Sequence, residues 1–391
     1  MPLGDEGPRG GTLRGIRVVE LGGIGPAPMA GMMLADMGAD VVLVERSPER
    51  SALWVKDPSL RGKRSLGLNL KSEQGVSVFL KLIERADVLI EGFRPGVTER
   101  LGIGPQPCLA RNPRLIYGRM TGWGQDGPLA GAAGHDINYI SIAGALHGVG
   151  RPGERPVPPL NLFGDMGGGA MLLTVGVLAA LVERATSGQG QVIDAAMVDG
   201  TALQMWLLRG LHASGHWNAA ERGVNLLDGG AHFYDTYETR DGRYVAIGPI
   251  EPQFYAELCR RLGLDPDRFA DQMNASRWLD MKSELADIFK TRTRSEWCEL
   301  LEGTDACFAP VLSMTEAPQH PHNMARHAYT DIDGFTQPAP APRFGRTPSA
   351  VAHGARAPGQ DTAAVLRELG LADAEVEALL RAGVAFDERA T

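Results

Sequence analysis

The sequence predicts an α/β fold: a Rossmann-like, doubly wound parallel sheet in a large domain, followed by a smaller α+β domain. Three observations point to it. Between residues 16 and 120, short β-branched runs alternate with stretches of helical apolar spacing, the pattern of units that build parallel sheets. After an irregular Gly-rich stretch, an Asp-Gly hairpin and several helical segments follow in a different order. The chain of 391 residues also exceeds the size at which one core usually stops growing.

Taken in order, Ile16 to Leu21 is a strand that ends in the glycine turn Gly22-Gly23-Ile24-Gly25. A helix rich in Ala, Met and Leu runs from Ala27 to Met37, and Asp40 to Glu45 is the next strand. The turn resembles a dinucleotide-binding fingerprint, but Pro28 stands where a third glycine belongs. Strands are expected at Ser65–Leu70, Asp87–Glu91 and Leu115–Met120, with helices at Ser72–Ala86 and Val97–Leu101. Ligands of such sheets sit beyond the carboxyl ends of the strands, where Arg46, Lys71, Arg94 and Thr121 fall.

An apolar helix is expected over Gly168–Arg184, then a strand at Gln191–Ala195 and a helix at Met197–Ala213. The organisation read from this is a large domain over 1–213, a linker over 214–231 and a small α+β domain over 232–327. The return segment, 328–391, would complete the large domain. Within the small domain, Asp241-Gly242 closes a hairpin between Tyr234–Thr239 and Tyr244–Ile247, and helices follow near Pro252–Leu262 and Arg277–Leu301. The proline-rich Ala339–Pro348 should run extended, and apolar spacing predicts a last helix over Thr362–Ala382.

A formal net charge of −8 argues against nucleic acid as the main partner, since phosphate backbones need a clustered basic surface. Cys108, Cys259, Cys298 and Cys307 lie far apart without a C-x-x-C pair. Neither a disulfide framework nor a metal site is expected. The longest apolar run, Met171–Val182, is shorter than the about 20 residues needed to span a bilayer, and residues 1–15 read as a loose polar leader. A soluble, cytoplasmic protein without a membrane or nucleic-acid partner is the expectation.

Candidate chemistry concentrates between Gly134 and Gly169. His135 follows a Gly/Ala-rich loop, and histidine is the side chain best suited to exchange a proton near neutral pH. Asp165 lies in Gly164-Asp165-Met166-Gly167-Gly168-Gly169. It could be a helix cap, but three successive glycines are a poor way to start a helix. They suggest backbone approaching a ligand, with N–H groups from Asp165 to Gly168 as oxyanion donors. Glu251 alone reads as a first-turn helix carboxylate. Arg46, Lys71, Arg94 and Arg100, near successive strand ends, could converge on phosphates or equally face solvent.

Ordered segments over nearly the whole chain resemble the class III CoA-transferase superfamily and, within it, the α-methylacyl-CoA racemases. They include RVVELGGIGPAP (17–28), LNLKSEQG (68–75), ADVLIEGFRPGVTERLG (86–102), GHDINYIS (134–141) and PPLNLFGDMGGG (158–169). The resemblance implies a catalytic pair of His135 and Asp165, with Glu251 hydrogen-bonded to the histidine. It implies a CoA site drawing on Arg46, Leu68, Asn69, Leu70, Lys71, Gly92, Phe93, Arg94, Arg100, Gly134, His135, Asp136, Ile137, Asn138 and Tyr139. It further implies an interlocked homodimer, with active sites between the large domain of one subunit and the small domain of its partner. CoA would arrive as part of the thioester substrate, with no separate cofactor.

Transferases of the superfamily use an aspartate at the Asp165 position as a nucleophile and generally lack the histidine. Inversion at carbon needs a second proton-handling group on the other face, and His135 therefore favours a racemase. The alternatives are a class III CoA-transferase acting through an aspartyl anhydride, a dinucleotide-dependent dehydrogenase, and a non-catalytic acyl-CoA-binding protein. Met166, Met171, Met197 and Met205 would give a racemase an adaptable acyl lining, although core packing explains most such methionines.

Overall fold

The computed structural model describes residues 10–46, 49 and 56–388. Most of the polar leader and the last three residues lie outside the described residues. The chain divides into two compact units, one of residues 1–143, 160–204 and 327–391, the other of 144–159 and 205–326.

The larger unit contains the expected parallel sheet. Its elements are β1 (Arg17–Leu21), α1 (Pro26–Asp36), β2 (Asp40–Glu45), β3 (Lys63–Leu68), α2 (Glu73–Ile83), β4 (Val88–Glu91), α3 (Val97–Arg100), α4 (Pro105–Arg111), β5 (Ile116–Thr121) and α5 (Asp136–Ile142). A wide π-helical segment, Leu162–Met171, then leads into α6 (Leu172–Ser187), β6 (Gln191–Ala196) and α7 (Met197–Gln204). The six strands are ordered β3-β2-β1-β4-β5-β6, all parallel, and the short strand Ala385–Phe386 adds antiparallel to β3. The order reverses between β1 and β4, the crevice position at which doubly wound sheets bind ligands.

These strands read as nearly continuous apolar runs because both sheet faces are covered. Val19, Leu89 and Tyr117 point into one core with Phe79 and Ile83 of α2 and Leu366 of the C-terminal segment. Their neighbours Val18, Val88, Ile90 and Ile116 point into the other, with Leu34 of α1 and Leu173 and Val177 of α6. Beneath α1, the wholly buried Lys63 and Glu20 pair at 2.6 Å, and Lys63 Nζ donates to the Pro28 carbonyl at 2.8 Å. A Cβ on Gly31 would stand 1.8 Å from Glu20 Oε2, so that helix position must be glycine.

The smaller unit has a three-stranded antiparallel sheet of Asp235–Glu238, Tyr244–Ile247 and Phe308–Pro310, with helices Pro252–Leu262, Trp278–Phe289 and Arg294–Leu301. Its core gathers aromatic side chains such as Phe233, Tyr237, Phe289 and Trp297.

Several expected elements are broken. The helix read over 197–213 stops at Gln204 and restarts at Trp206. The one read over 277–301 is cut by a capping box, in which Thr293 N–H donates to Glu296 Oε2 at 2.7 Å and Glu296 N–H to Thr293 Oγ1 at 3.3 Å. The last helix divides at Gly370, whose φ of 89° no helix accepts. The sequence reading missed α4, which starts with Pro105 at its first position, and the hairpin Tyr329–Ile332 with Phe335–Pro338.

The apolar helix is longer than expected. Leu162–Ser187 is continuous over 26 residues, with a window of mean hydropathy 1.7, enough by length and composition to cross a membrane. The sequence reading placed the helix over 168–184 and its uninterrupted apolar run over 171–182, because Asp165 and the glycines interrupt the apolar pattern before it. Leu173, Thr174, Val177, Ala180 and Arg184 of this helix are buried in the larger unit.

Candidate active site

His135 ends the loop before α5 in extended conformation and is solvent-exposed. Its N–H donates to Asn138 Oδ1 at 3.0 Å, and its carbonyl accepts the Asn138 N–H at 2.8 Å, which fixes the start of the helix. The loop is held by Tyr139, which packs edge-on against Trp123 with centroids 4.8 Å apart and donates its hydroxyl to the Gly134 carbonyl. A Cβ on Gly134 would lie 2.7 Å from the Tyr139 ring. Glycine before the histidine is therefore a packing requirement.

Asp165 is half-buried in the first turn of the wide helix. Asn161 Nδ2 donates to its Oδ2 at 3.2 Å, and a Cβ on Gly25, in the turn after β1, would lie 3.8 Å from that oxygen. Burial raises the Asp165 pKa above the ordinary carboxylate range, and the nearby Asp136 charge adds to the rise. The Asn161 hydrogen bond and the His135 charge act the other way. The two groups, thirty positions apart in sequence, thus share one electrostatic environment in the larger unit.

The glycines after Asp165 serve a different purpose from the one expected. A Cβ on Gly168 would meet Thr201 N at 2.8 Å, and one on Gly200 would meet the Gly168 carbonyl oxygen at 2.0 Å, so the wide helix and α7 pack backbone to backbone. Gly169 lies against Met197 and Pro26. The proposed oxyanion donors are also engaged: Asp165 N–H donates to Asp136 Oδ1 and Met166 N–H to the Asn161 carbonyl, while Gly167 and Gly168 lie inside the helix.

At the carboxyl ends of β2, β3 and β4, the side chains of Arg46, Lys71, Arg94 and the nearby Arg100 are exposed. Among the described residues none of the four makes a hydrogen bond or ion pair, in a chain whose net charge is −8. Arg61, Arg64 and Arg119, in contrast, are all paired with carboxylates. Asn69 turns the chain after β3, its Oδ1 accepting the Lys71 N–H at 3.0 Å. Leu70 is half-buried, Leu68 is a core residue, and Gly92, Ile137 and Asn138 are exposed.

Sequence reasoning missed the support of the 92–94 loop. Buried Glu91 accepts the Phe93 N–H on Oε2 at 2.7 Å and the Arg119 guanidinium on Oε1 at 2.9 Å, and Arg119 also reaches Glu99 at 2.8 Å. A charged residue inside each of two otherwise apolar strands, Glu91 ending β4 and Arg119 within β5, paired side by side in the sheet, was the available signal. Of the four methionines, Met197 is core, Met166 and Met171 are partly or largely exposed, and Met205 belongs to the smaller unit. Glu251 also stands on the smaller unit, exposed at the start of Pro252–Leu262. No group of three or more metal-ligating side chains occurs among the described residues.

The profile of CoA-transferase family III matches residues 13–362. The chain is 49% identical to the α-methylacyl-CoA racemase of Mus musculus, over 93% of this chain and 95% of that protein. It is 45% identical to that of Homo sapiens, over the same shares. The crystal structure of Rv3272 from Mycobacterium tuberculosis superposes with a TM-score of 0.77 at 27% identity, covering 90% of this chain and 99% of that one. Rv3272 is named a probable fatty acyl-CoA transferase.

Proposed function

We propose that this chain, which belongs to CoA-transferase family III, interconverts the 2R and 2S epimers of 2-methylacyl-CoA thioesters. The thioester carbonyl acidifies the α-C–H bond. One base takes that proton, the electron pair moves into an enolate, and the conjugate acid of a second group returns a proton to the opposite face. For the 2S epimer His135 is the base and Asp165 the acid, and the roles reverse for 2R. The observation that supports the reading is the half-buried Asp165, whose pKa burial raises and the His135 charge lowers, so that a second proton-handling group acts on the aspartate. A nucleophilic transferase needs only the aspartate.

The four unpaired cations at the strand ends support the CoA site, since three phosphates would neutralise them. CoA belongs to the substrate, and no further cofactor enters the scheme. We assign Glu251 to orient the histidine of a second copy of the chain, in a homodimer. Exposed apolar side chains on the larger unit support self-association: Leu162, Met171, Val175, Val182, Val192 and Leu203.

In deuterated water the protein should exchange the α-proton of a 2-methylacyl-CoA and equilibrate its epimers without an acyl acceptor. His135→Ala should lower kcat by about 10²–10⁴-fold, the usual worth of a positioned acid or base. Full epimerisation by that variant would remove the two-base scheme. The resemblance to Rv3272 favours one second reading, CoA transfer through an anhydride on Asp165. It prevails if no α-proton exchanges while CoA passes from a thioester to a free carboxylate.

A further inference from the structure

We propose that Asp136 is the positioning residue of the acid/base pair: one oxygen of its buried carboxylate ties the main chain at Asp165 to the residue that follows His135. This rests on the acid/base reading above. The first N–H groups of a helix have no partner within it and need an outside acceptor. The flanking residue of the wide helix, Asn161, makes no capping bond and turns its amide to Asp165 Oδ2 instead. The acceptor comes from a distant segment. Asp136 Oδ1 takes the N–H of Gly164 at 2.7 Å and of Asp165 at 2.8 Å, lengths of charge-assisted bonds.

The fit is close. Asp136 is 6% exposed, and a Cβ on Gly164 would stand 2.7 Å from Oδ1, so only glycine admits the carboxylate there. His135 and Asp165 are thus joined through one residue and one hydrogen bond, a linkage far shorter than the thirty-residue chain path. Such a tether suits a reaction in which small misplacements of the reacting groups are expensive. The resemblance puts Asp136 among the CoA contacts, whereas one oxygen of its carboxylate is occupied by backbone.

The second oxygen, Oδ2, is buried without a partner among the described residues, which is unfavourable for a carboxylate. Its charge faces Asp165 and opposes ionisation there. The other groups that interact with Asp165 are His135, the Asn161 amide and Tyr139. Asp136 therefore has a geometric duty and an electrostatic one, which substitution separates: asparagine keeps an acceptor oxygen and loses the charge, alanine loses both.

The test uses full-length Asp136→Asn and Asp136→Ala, read by hydrogen exchange of peptides spanning 160–170 and by the pH dependence of epimerisation. Asp136→Asn should keep the wild-type amide protection and kcat within about tenfold. The acid limb of its activity bell should move to lower pH, because Asp165 loses its proton more readily without the neighbouring anion. In Asp136→Ala the amides should exchange about tenfold faster or more, with kcat falling by at least as much and KM changing less. Wild-type protection in the alanine variant overturns the tether, and an unmoved bell in the asparagine variant overturns the electrostatic duty. Loss confined to KM in both would make Asp136 a CoA contact instead. Failure of the wild type to exchange the α-proton would sink the proposed function, while amide protection would still decide the tether.

Discussion

In the proposed scheme Asp165 and His135 exchange protons with substrate as a pair, and the protons of such a pair come off in steps that belong to the pair. The active form holds one proton between them, on Asp165 for the 2S epimer and on His135 for 2R. Both directions draw on the same singly protonated enzyme, so kcat/KM for the two epimers should follow one common bell. The acid limb marks loss of the first proton. Because burial and Asp136 raise the Asp165 pKa, that limb should lie above the ordinary aspartate value of about 3.9. Initial rates from each pure epimer across pH test both statements, and two different bells, or an acid limb at the ordinary value, would contradict the scheme.

Among the elements, the wide helix and α7 depend on glycine where they meet. The Gly168–Gly200 approach puts backbone against backbone, and the wide helix carries Asp165 at its start. Gly200→Ala should destabilise the protein by about 1–3 kcal/mol through overpacking, although Gly→Ala inside a helix otherwise gains about 1 kcal/mol. Gly210→Ala is the control: nothing lies within 4 Å of its Cβ position, and stability should hold or rise. Denaturant titration of the two variants checks the contrast. Equal midpoints would show that the close approach relaxes without cost.

For the whole molecule, the exposed apolar stripe Val175–Val182 of α6 is the feature a monomer has least reason to keep. The protein should sediment at twice its 41.8 kDa chain mass. Val175→Glu should weaken that association and reduce turnover with it, as Glu251 comes from the second copy in the proposed arrangement. A fully active monomer would overturn the shared site.

The α/β alternation and the strand-end cations were legible in the sequence because each rests on local pattern, β-branched runs, helical spacing and basic residues just past the strands, whereas the pairing of His135 with Asp165 came from the family resemblance. The family resemblance supplied roles that pattern alone left open, as for Glu251. What sequence determined by itself was which segments form the sheet and which side chains have chemistry to offer. Tertiary structure alone decided how they are held. It closes the sheet with a C-terminal strand from residue 385, packs Gly168 onto Gly200 where a ligand-facing glycine was expected, and brings Asp136 to the backbone of Asp165. These contacts join positions tens to hundreds of residues apart, and steric fit and unpaired buried groups set them, neither of which has a period in the sequence.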